Sequence, residues 1–368
     1  MTRPLDGITV LDFASLLPGP LATFLLAEAG ADVIKVERQG GDDMRQFQPM
    51  HGETSTVFTV LHGGKKSVTA DLKSPAGRAA LTSLIAKADV LVEQFRPGVM
   101  ERLGLGYEAV SAINPKMIYC SITGYGQSGP RSLEAGHDIN YQAVTGLLAL
   151  PSGKPQTPAA LAADIAGGSL PAVINILLGL RQRELTGKGM HIDIAMADIA
   201  FTFLWSTLSE GKVTGTYPDR GRGLLTGGSP RYDTYETADG RYLACGALEQ
   251  KFWESFCRTI GLPEKLWDDA ADPHATREAV SRLVASRSAA EWAPLLQAAD
   301  CCVTVVATVE EALADQHFQA RGLNSYQATD STGATIPAVA LPISPQFRAS
   351  AATPRLVPQP GAHNALLD

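Results

Sequence analysis

The sequence lacks the cysteine spacings that a disulfide framework or a structural zinc site requires. Its five cysteines form an odd set, and no pair has C-x-x-C spacing. The histidines show no metal-ligand spacing, and neither H-E-x-x-H nor G-x-S-x-G occurs. We therefore expect a protein of a reducing, cytoplasmic environment that binds no metal and is not a serine hydrolase.

Clustered positive charge and long apolar runs are also scarce. The formal net charge is −7, whereas nonspecific nucleic-acid binding needs clustered Lys and Arg to neutralise phosphates. The apolar stretch at 170–180 is too short to span a bilayer, and the N-terminal residues do not have the pattern of a secretory signal. Neither a nucleic acid nor a membrane is an expected partner.

The first third of the chain alternates apolar strand-like runs with helix-like segments. Residues 8–13 and 33–36 are predicted to be buried strands, and the helix predicted between them ends at Gly30. Further strands are predicted at 67–71, 89–95 and 117–123. Serial β-α-β units indicate an α/β fold with a Rossmann-like, doubly wound parallel sheet.

The length of 368 residues and a change in composition after about residue 200 indicate more than one domain. We predict a large α/β domain over 1–200, and a linker rich in Gly, Thr and Ser over 201–230. A smaller α+β domain is predicted over 231–320. The remaining segment, 321–368, is predicted to return to the large domain.

The hexapeptide 136–141 places His137 and Asp138 in a loop directly before an apolar helix, where a histidine is well placed for proton transfer. Asp164 and Glu249 each follow small residues and precede a predicted helix, where backbone N–H groups favour negative charge. Each acid also has a purely structural interpretation, and for Asp138 we favour a helix N-cap. Tyr141 fits a core position equally well.

Two further motifs are ambiguous. Residues 124–129 satisfy G-x-G-x-x-G, but the loop does not lead straight into a helix, so we reject a dinucleotide site as the leading interpretation and favour an active-site loop. Pro171 lies too deep for a helix that begins at Asp164, which suggests a helix start nearer Ser169.

Several basic residues follow predicted strand ends in the large domain, at the edge where open α/β sheets bind ligands. Solvation explains any one of them, whereas a ligand with several phosphates would explain the group: Arg38, Lys65, Lys66, Arg96 and Arg102.

Taken together, the ordered motifs resemble family III CoA-transferases of the CaiB/BaiF type, which include the α-methylacyl-CoA racemases. The matching segments cover nearly the whole chain: 5–12, 18–20, 30–37, 66–73, 93–98, 124–130 and 186–189. The segments 136–141, 227–235 and 246–252 look like the racemase branch. Arg231 and Pro171 depart from the residues expected there, and Arg231 is expected to alter the acyl pocket.

The resemblance implies a racemase that moves a proton at the α-carbon of a 2-methylacyl-CoA, with His137, Asp164 and Glu249 as catalytic residues. It also implies an interlocked homodimer in which Glu249 comes from the other subunit. No cofactor beyond the CoA moiety of the substrate is expected. The residues expected to bind that moiety are Arg38, Lys65, Leu72, Arg96, Arg102 and Tyr141.

Two alternatives remain open. The first is a CoA-transferase that carries CoA between carboxylic acids through a covalent adduct on Asp164. The second is a non-catalytic nucleotide-binding protein that uses the Gly-rich loop.

Overall fold

The computed structural model describes residues 2–353 and 355–367. The chain divides into two compact units, the first comprising 1–145, 158–202 and 316–368, and the second comprising 146–157 and 203–315. The C-terminal segment 316–368 therefore belongs to the first unit.

The described residues of the first unit contain eleven strands. Eight come before the second unit: β1 (Thr9–Asp12), β2 (Asp32–Glu37), β3 (Met50–His51), β4 (Thr54–Ser55), β5 (Lys66–Thr69), β6 (Val90–Glu93), β7 (Ile118–Thr123) and β8 (Met190–Ala195). The other three are C-terminal: β12 (Tyr326–Thr329), β13 (Thr335–Ala338) and β14 (Arg355–Leu356). The strands of the second unit are β9 (Tyr232–Glu236), β10 (Tyr242–Gly246) and β11 (Val303–Val305).

The helices of the first unit surround this sheet structure. They are α1 (Pro18–Glu28), α2 (Thr56–His62), α3 (Pro75–Ala80), α4 (Thr82–Lys87), α5 (Val99–Arg102), α6 (Tyr107–Ile113), α7 (Asp138–Val144), α8 (Ala162–Asp164), α9 (Leu170–Thr186), α10 (Met196–Thr202) and the short α16 (Gln316–Ala320). The helices of the second unit are α11 (Trp205–Thr214), α12 (Gln250–Ile260), α13 (Pro273–Val284), α14 (Ala289–Ala299) and α15 (Val309–Ala314).

A six-stranded parallel sheet with the order β5-β2-β1-β6-β7-β8 forms the centre of the first unit. The two largest hydrophobic clusters of this unit include side chains of the sheet, among them Val10 and Ile118 in one and Leu11 and Leu91 in the other. Chain connections run outward in both directions from β1, which confirms the predicted doubly wound α/β fold. The ligand-binding crevice of such a sheet lies at the carboxyl ends of β1 and β6, where the order reverses.

The second unit pairs a three-stranded antiparallel sheet, β11-β10-β9, with helices α12 to α14. The Gly-, Thr- and Ser-rich stretch predicted as a connector contains helix α11. Gly211 in that helix is required by packing, because a Cβ there would lie 2.1 Å from Cδ1 of Tyr217. A close approach that composition does not reveal therefore explains the helix-weakening glycine.

The helical segment 162–186 is long and apolar enough to cross a membrane by length and composition. In this fold it packs on the central sheet, where Gly179 lies close to Ile118 and Ile192. A core helix of a globular protein has the same composition. The segment is longer than the apolar stretch predicted at 170–180.

Candidate active site

A cavity of about 520 Å³ lies at the point where the strand order of the central sheet reverses. Leu16 and Pro18 from the segment after β1, and residues 94–97 from the segment after β6, form part of its wall. His137 and Asp164 line the same cavity. Two of the three predicted catalytic residues are therefore brought together at the edge where ligands bind to open α/β sheets.

His137 is the N-cap residue of helix α7 and has extended backbone geometry. Its backbone N–H donates to Oδ1 of Asn140 at 3.0 Å, and its carbonyl accepts from the Asn140 N–H at 2.8 Å. These two bonds fix the backbone of His137, while its side chain remains exposed at the cavity wall. The imidazole is thus presented to a ligand from a rigid base.

Asp138 is buried, with 4% of its surface exposed, and it caps a different helix from the one predicted. Its Oδ1 accepts from the N–H groups of Ala163 (2.7 Å) and Asp164 (3.0 Å), and its Oδ2 accepts from Nε2 of Gln142 (2.6 Å). The prediction that Asp138 is the N-cap of the helix after residue 137 is therefore wrong. It satisfies the first N–H groups of the helix that carries Asp164 instead.

Asp164 lies at the end of the short helix α8, which continues through a π turn at Ile165–Ser169 into α9. Helix α9, which carries Pro171, begins at Leu170 with Ser169 as its N-cap residue, as predicted, but the helical segment extends upstream through the π turn to Ala162. Pro171 cannot donate to the carbonyl four residues earlier, and the wide π turn precedes it without requiring that bond. Such turns recur at functional sites.

Glycines at the π turn allow a close backbone approach. A Cβ on Gly167 would lie 2.8 Å from the carbonyl oxygen of Met196, and a Cβ on Gly168 would lie 3.1 Å from the Pro18 side chain. The hydroxyl of Ser169 donates to the carbonyl of Pro18 at 2.8 Å. These contacts fix the turn after Asp164 against the start of α1.

Burial and the nearby carboxylate of Asp138 raise the pKa of Asp164 to about 6, although His137 opposes the shift. An ordinary Asp has a pKa near 4. A carboxyl group whose pKa lies about one unit below neutral can both accept and donate a proton at physiological pH. The cavity thus places this carboxyl group beside the imidazole of His137.

Tyr141 connects two loops of the cavity. Its hydroxyl donates to the carbonyl of Gly136 at 2.7 Å, and burial raises the pKa of the phenol to about 12. A Cβ on Gly124 or on Gly136 would lie 2.6 or 2.7 Å from the Tyr141 ring. The ring is also part of the hydrophobic core, so Tyr141 both lines the cavity and supports the loop before His137.

Two backbone N–H groups of the Gly-rich loop are used within the protein. The Gly126 N–H donates to Oγ1 of Thr123 and the Gln127 N–H donates to Oδ2 of Asp193, each at 2.9 Å. The loop therefore does not offer these donors to a phosphate, which argues against the dinucleotide interpretation.

Over the described residues, the Asp138 N–H at the start of α7 has no hydrogen-bond partner.

A second cavity of about 560 Å³ lies at the same sheet edge, beyond strands β2 and β5. Arg38 and Leu72, two of the residues predicted to bind CoA, line this cavity, and Phe95 lines both cavities. The exposed Arg38 guanidinium pairs with Asp43 and donates to the carbonyl of Gly41 at 3.1 Å. A ligand extended across Phe95 would contact both cavities.

Lys65 lies outside both cavities. Its side chain is fully buried, and its ammonium donates to Oδ2 of Asp12 (2.9 Å), to Oγ1 of Thr23 (2.7 Å) and to the carbonyl of Pro20 (3.0 Å). Three donors are thus matched by three acceptors. The prediction that Lys65 contacts a phosphate is wrong for this structure, because its charge neutralises a buried aspartate.

Lys73 is a cation at the second cavity that the sequence reasoning did not select. Its side chain is exposed there, and over the described residues its ammonium has no hydrogen-bond or ion-pair partner. Its place after β5, within the quoted segment 66–73, is the signal that could have identified it. The other two predicted arginines are exposed: Arg96 lines the first cavity, while Arg102 on α5 lines neither.

Glu249 belongs to the second unit, where it is the N-cap residue of helix α12. Its side chain is exposed and does not cap the helix. In the described part of the chain the carboxylate has no hydrogen-bond or ion-pair partner.

The sequence matches CoA-transferase family III over residues 5–364. It is 38% identical to the human alpha-methylacyl-CoA racemase over 329 residues, which cover 86% of this chain and 81% of that protein. It is 34% identical to the acetyl-CoA:oxalate CoA-transferase of Acetobacter aceti over 322 residues, which cover 84% of this chain and 82% of that protein.

Among solved structures, a CaiB/BaiF family protein from Brucella suis superimposes with a TM-score of 0.84 at 31% identity, with complete coverage of both chains. The chain therefore belongs to the family III CoA-transferases, and it is an enzyme of a family that contains both racemases and CoA-transferases.

Proposed function

We propose that this enzyme interconverts the two α-epimers of a 2-methylacyl-CoA thioester by 1,1-proton transfer. The observation that carries the proposal is the shared cavity of His137 and Asp164, in which the pKa of the aspartate is raised to about 6. One group removes the α-proton and the other returns a proton to the opposite face. Each positioned acid or base contributes about 10² to 10⁴ in rate.

The remaining acceleration comes from stabilising the enolate oxygen, because a thioester α-hydrogen is far less acidic than a carboxyl group or an imidazolium ion. The N–H groups of Ala163 and Asp164 are occupied by Asp138, so they are not free for this role. The N–H of Asp138, the residue directly after the cavity-lining His137, is the donor we assign to the developing oxyanion.

The CoA moiety extends along the sheet edge from the second cavity to the first. Arg38 and Leu72 lie where the nucleotide end of the ligand binds, and Lys73 replaces Lys65 as the cation that meets a phosphate. Arg96 lies beside the reacting end. Tyr141 supports the loop before His137. Arg102 lines neither cavity, so it would contact a phosphate only where the ligand extends beyond them.

Glu249 completes the site from a partner subunit in an interlocked homodimer, where it pairs with His137. Its free carboxylate supports this assignment, because no group of its own unit competes for it among the described residues. The proposed racemase activity has a second support in the family relation, since two relatives are named alpha-methylacyl-CoA racemase.

The sharpest test uses one epimer of a 2-methylacyl-CoA in D₂O without any acceptor acid. A racemase incorporates deuterium at the α-carbon and mixes the epimers under these conditions. The proposal is overturned if there is no deuterium incorporation and no epimer mixing, and if CoA moves only after a carboxylic acid is added.

That second result would identify a CoA-transferase that forms a covalent adduct on Asp164. The carboxylate faces the cavity, and the Acetobacter aceti relative bears the name of such an activity.

A further inference from the structure

The loop that presents Glu249 lies between β10 and α12, and the glutamate side chain does not hold itself in place. Its backbone has extended geometry, with φ −74° and ψ 142°, and its carbonyl accepts from the N–H groups of Phe252 and Trp253, each at 3.0 Å. The exposed carboxylate has no partner in the described part of the chain. Its direction therefore depends on the residues at either side.

The guanidinium of Arg231 bonds to both of those neighbours. Its Nη1 donates to the carbonyl oxygen of Leu248 at 3.2 Å, and its Nη2 donates to Oε1 of Gln250 at 2.9 Å. Leu248 precedes the glutamate and Gln250 follows it. One planar group thus holds the backbone on one side of Glu249 and a side chain on the other.

Arg231 is itself firmly anchored. Its Nε donates to Oδ1 of Asp269 at 2.8 Å, and its Nη2 lies 2.7 Å from the same oxygen. The guanidinium also lies over the ring of Trp253, 5.3 Å from the centroid, and that ring is fully buried in the core of the second unit. The ion pair is mostly buried, with 16% and 13% of the two side chains exposed.

From these contacts we propose that Arg231 is a positioning residue for Glu249, an inference that rests on the proposed racemase function. It fixes the Leu248–Gln250 segment by joining it to Asp269 and to helix α12. Lysine cannot substitute, because a single ammonium does not reach acceptors in the fork geometry of a guanidinium.

The test compares α-deuterium incorporation by the wild type and by the variants Arg231→Met, Arg231→Lys and Glu249→Gln. We expect each Arg231 variant to lower the rate about tenfold, because displacement of a catalytic group by about 1 Å can cost as much as 10². Arg277→Met is the matched control. Arg277 lies in the same unit and bonds to Asp233 and to the Gly227 carbonyl, away from the Glu249 loop.

The double variant Arg231→Met with Glu249→Gln separates positioning from general damage. A residue that acts only through Glu249 causes no further loss once that carboxylate is gone, because the effects of groups that act as a unit are not additive. A multiplicative loss in the double variant would overturn the inference. So would a full rate in Arg231→Lys, or an unchanged rate in Glu249→Gln.

Hydrogen–deuterium exchange of backbone amides provides a readout that does not depend on activity. Arg231→Met is expected to speed exchange at 248–253, whereas Arg277→Met is expected to leave that segment unchanged. Unchanged protection in both variants would show that no such anchoring exists. If the wild type shows no α-exchange but Arg231→Met still speeds amide exchange at 248–253, the result contradicts the proposed function and supports the anchoring.

Discussion

The pKa of Asp164 is the residue property that links the fold most directly to the chemistry. A buried carboxyl group with a raised pKa binds its proton more tightly in the folded state than in the unfolded chain. Stability therefore falls as the pH rises from about 4 to about 6, and the cost of the ionised buried group persists above that range.

We predict that Asp164→Asn stabilises the protein at pH 7.5 and has little effect near pH 4.5. The expected gain at pH 7.5 is about 1 kcal/mol, because part of Asp164 is open to solvent and the cost of its charge is partly screened. Urea denaturation at the two pH values measures it. An equal gain at both would mean that the carboxyl pKa is not raised.

Single residues are also where sequence reasoning was least successful. Lys65 and Lys66 are adjacent and similar in the sequence, yet Lys65 is buried against Asp12 and Lys66 pairs with Asp32 at the surface. The partners of Lys65 lie 53 and 42 residues earlier in the chain. Only the packing of α1 on the sheet, which no local pattern encodes, brings these groups together.

Elements were predicted more successfully, since apolar runs bounded by glycine and proline indicate buried strands. The strands predicted at 8–13 and 117–123 correspond to β1 and β7. Helix starts were less predictable, because the group that caps α8 is Asp138, which lies 25 residues before the Ala163 N–H that it accepts from. The π turn before Pro171 has no sequence signal that separates it from an ordinary helix start.

The cap on α8 leads to a prediction about that element. Asp138→Ala leaves a buried N–H group and a partly buried one without an acceptor, and we expect a loss of about 2 kcal/mol in the free energy of unfolding. Asp272→Ala is the control, because Asp272 caps the start of α13 at an exposed position, through a 2.9 Å bond to the Ala275 N–H. We expect that variant to lose about 1 kcal/mol or less.

Chemical denaturation of the two variants beside the wild type gives the comparison. Equal losses would contradict the view that Asp138 is the main anchor of the helix that carries Asp164.

For the whole molecule, a group of exposed apolar side chains on the first unit supports the proposed dimer. Helix α9 exposes Ile174, Leu178 and Leu185, with 57%, 62% and 71% of their surfaces accessible. Exposed apolar side chains grouped on one element are typical of a surface that a partner covers. We propose that a second copy of this chain covers it, in the interlocked dimer that would also bring in Glu249.

Coexpression of His137→Ala with Glu249→Gln tests this arrangement. If each site combines His137 of one subunit with Glu249 of the other, a mixed dimer has one intact site and recovers α-exchange. Isolated dimers purified by two affinity tags should then reach about half of the wild-type rate per dimer, while each single variant remains slow. No recovery in the mixed dimer would place both residues of a site on one chain.

The most direct test of the account measures deuterium incorporation at the α-carbon of a single 2-methylacyl-CoA epimer by His137→Ala, without an acceptor acid. The proposed mechanism predicts a loss of about 10² or more relative to the wild type, because one of the two proton-transferring groups is gone. Undiminished incorporation in this variant, with its fold intact by circular dichroism, would contradict the mechanism.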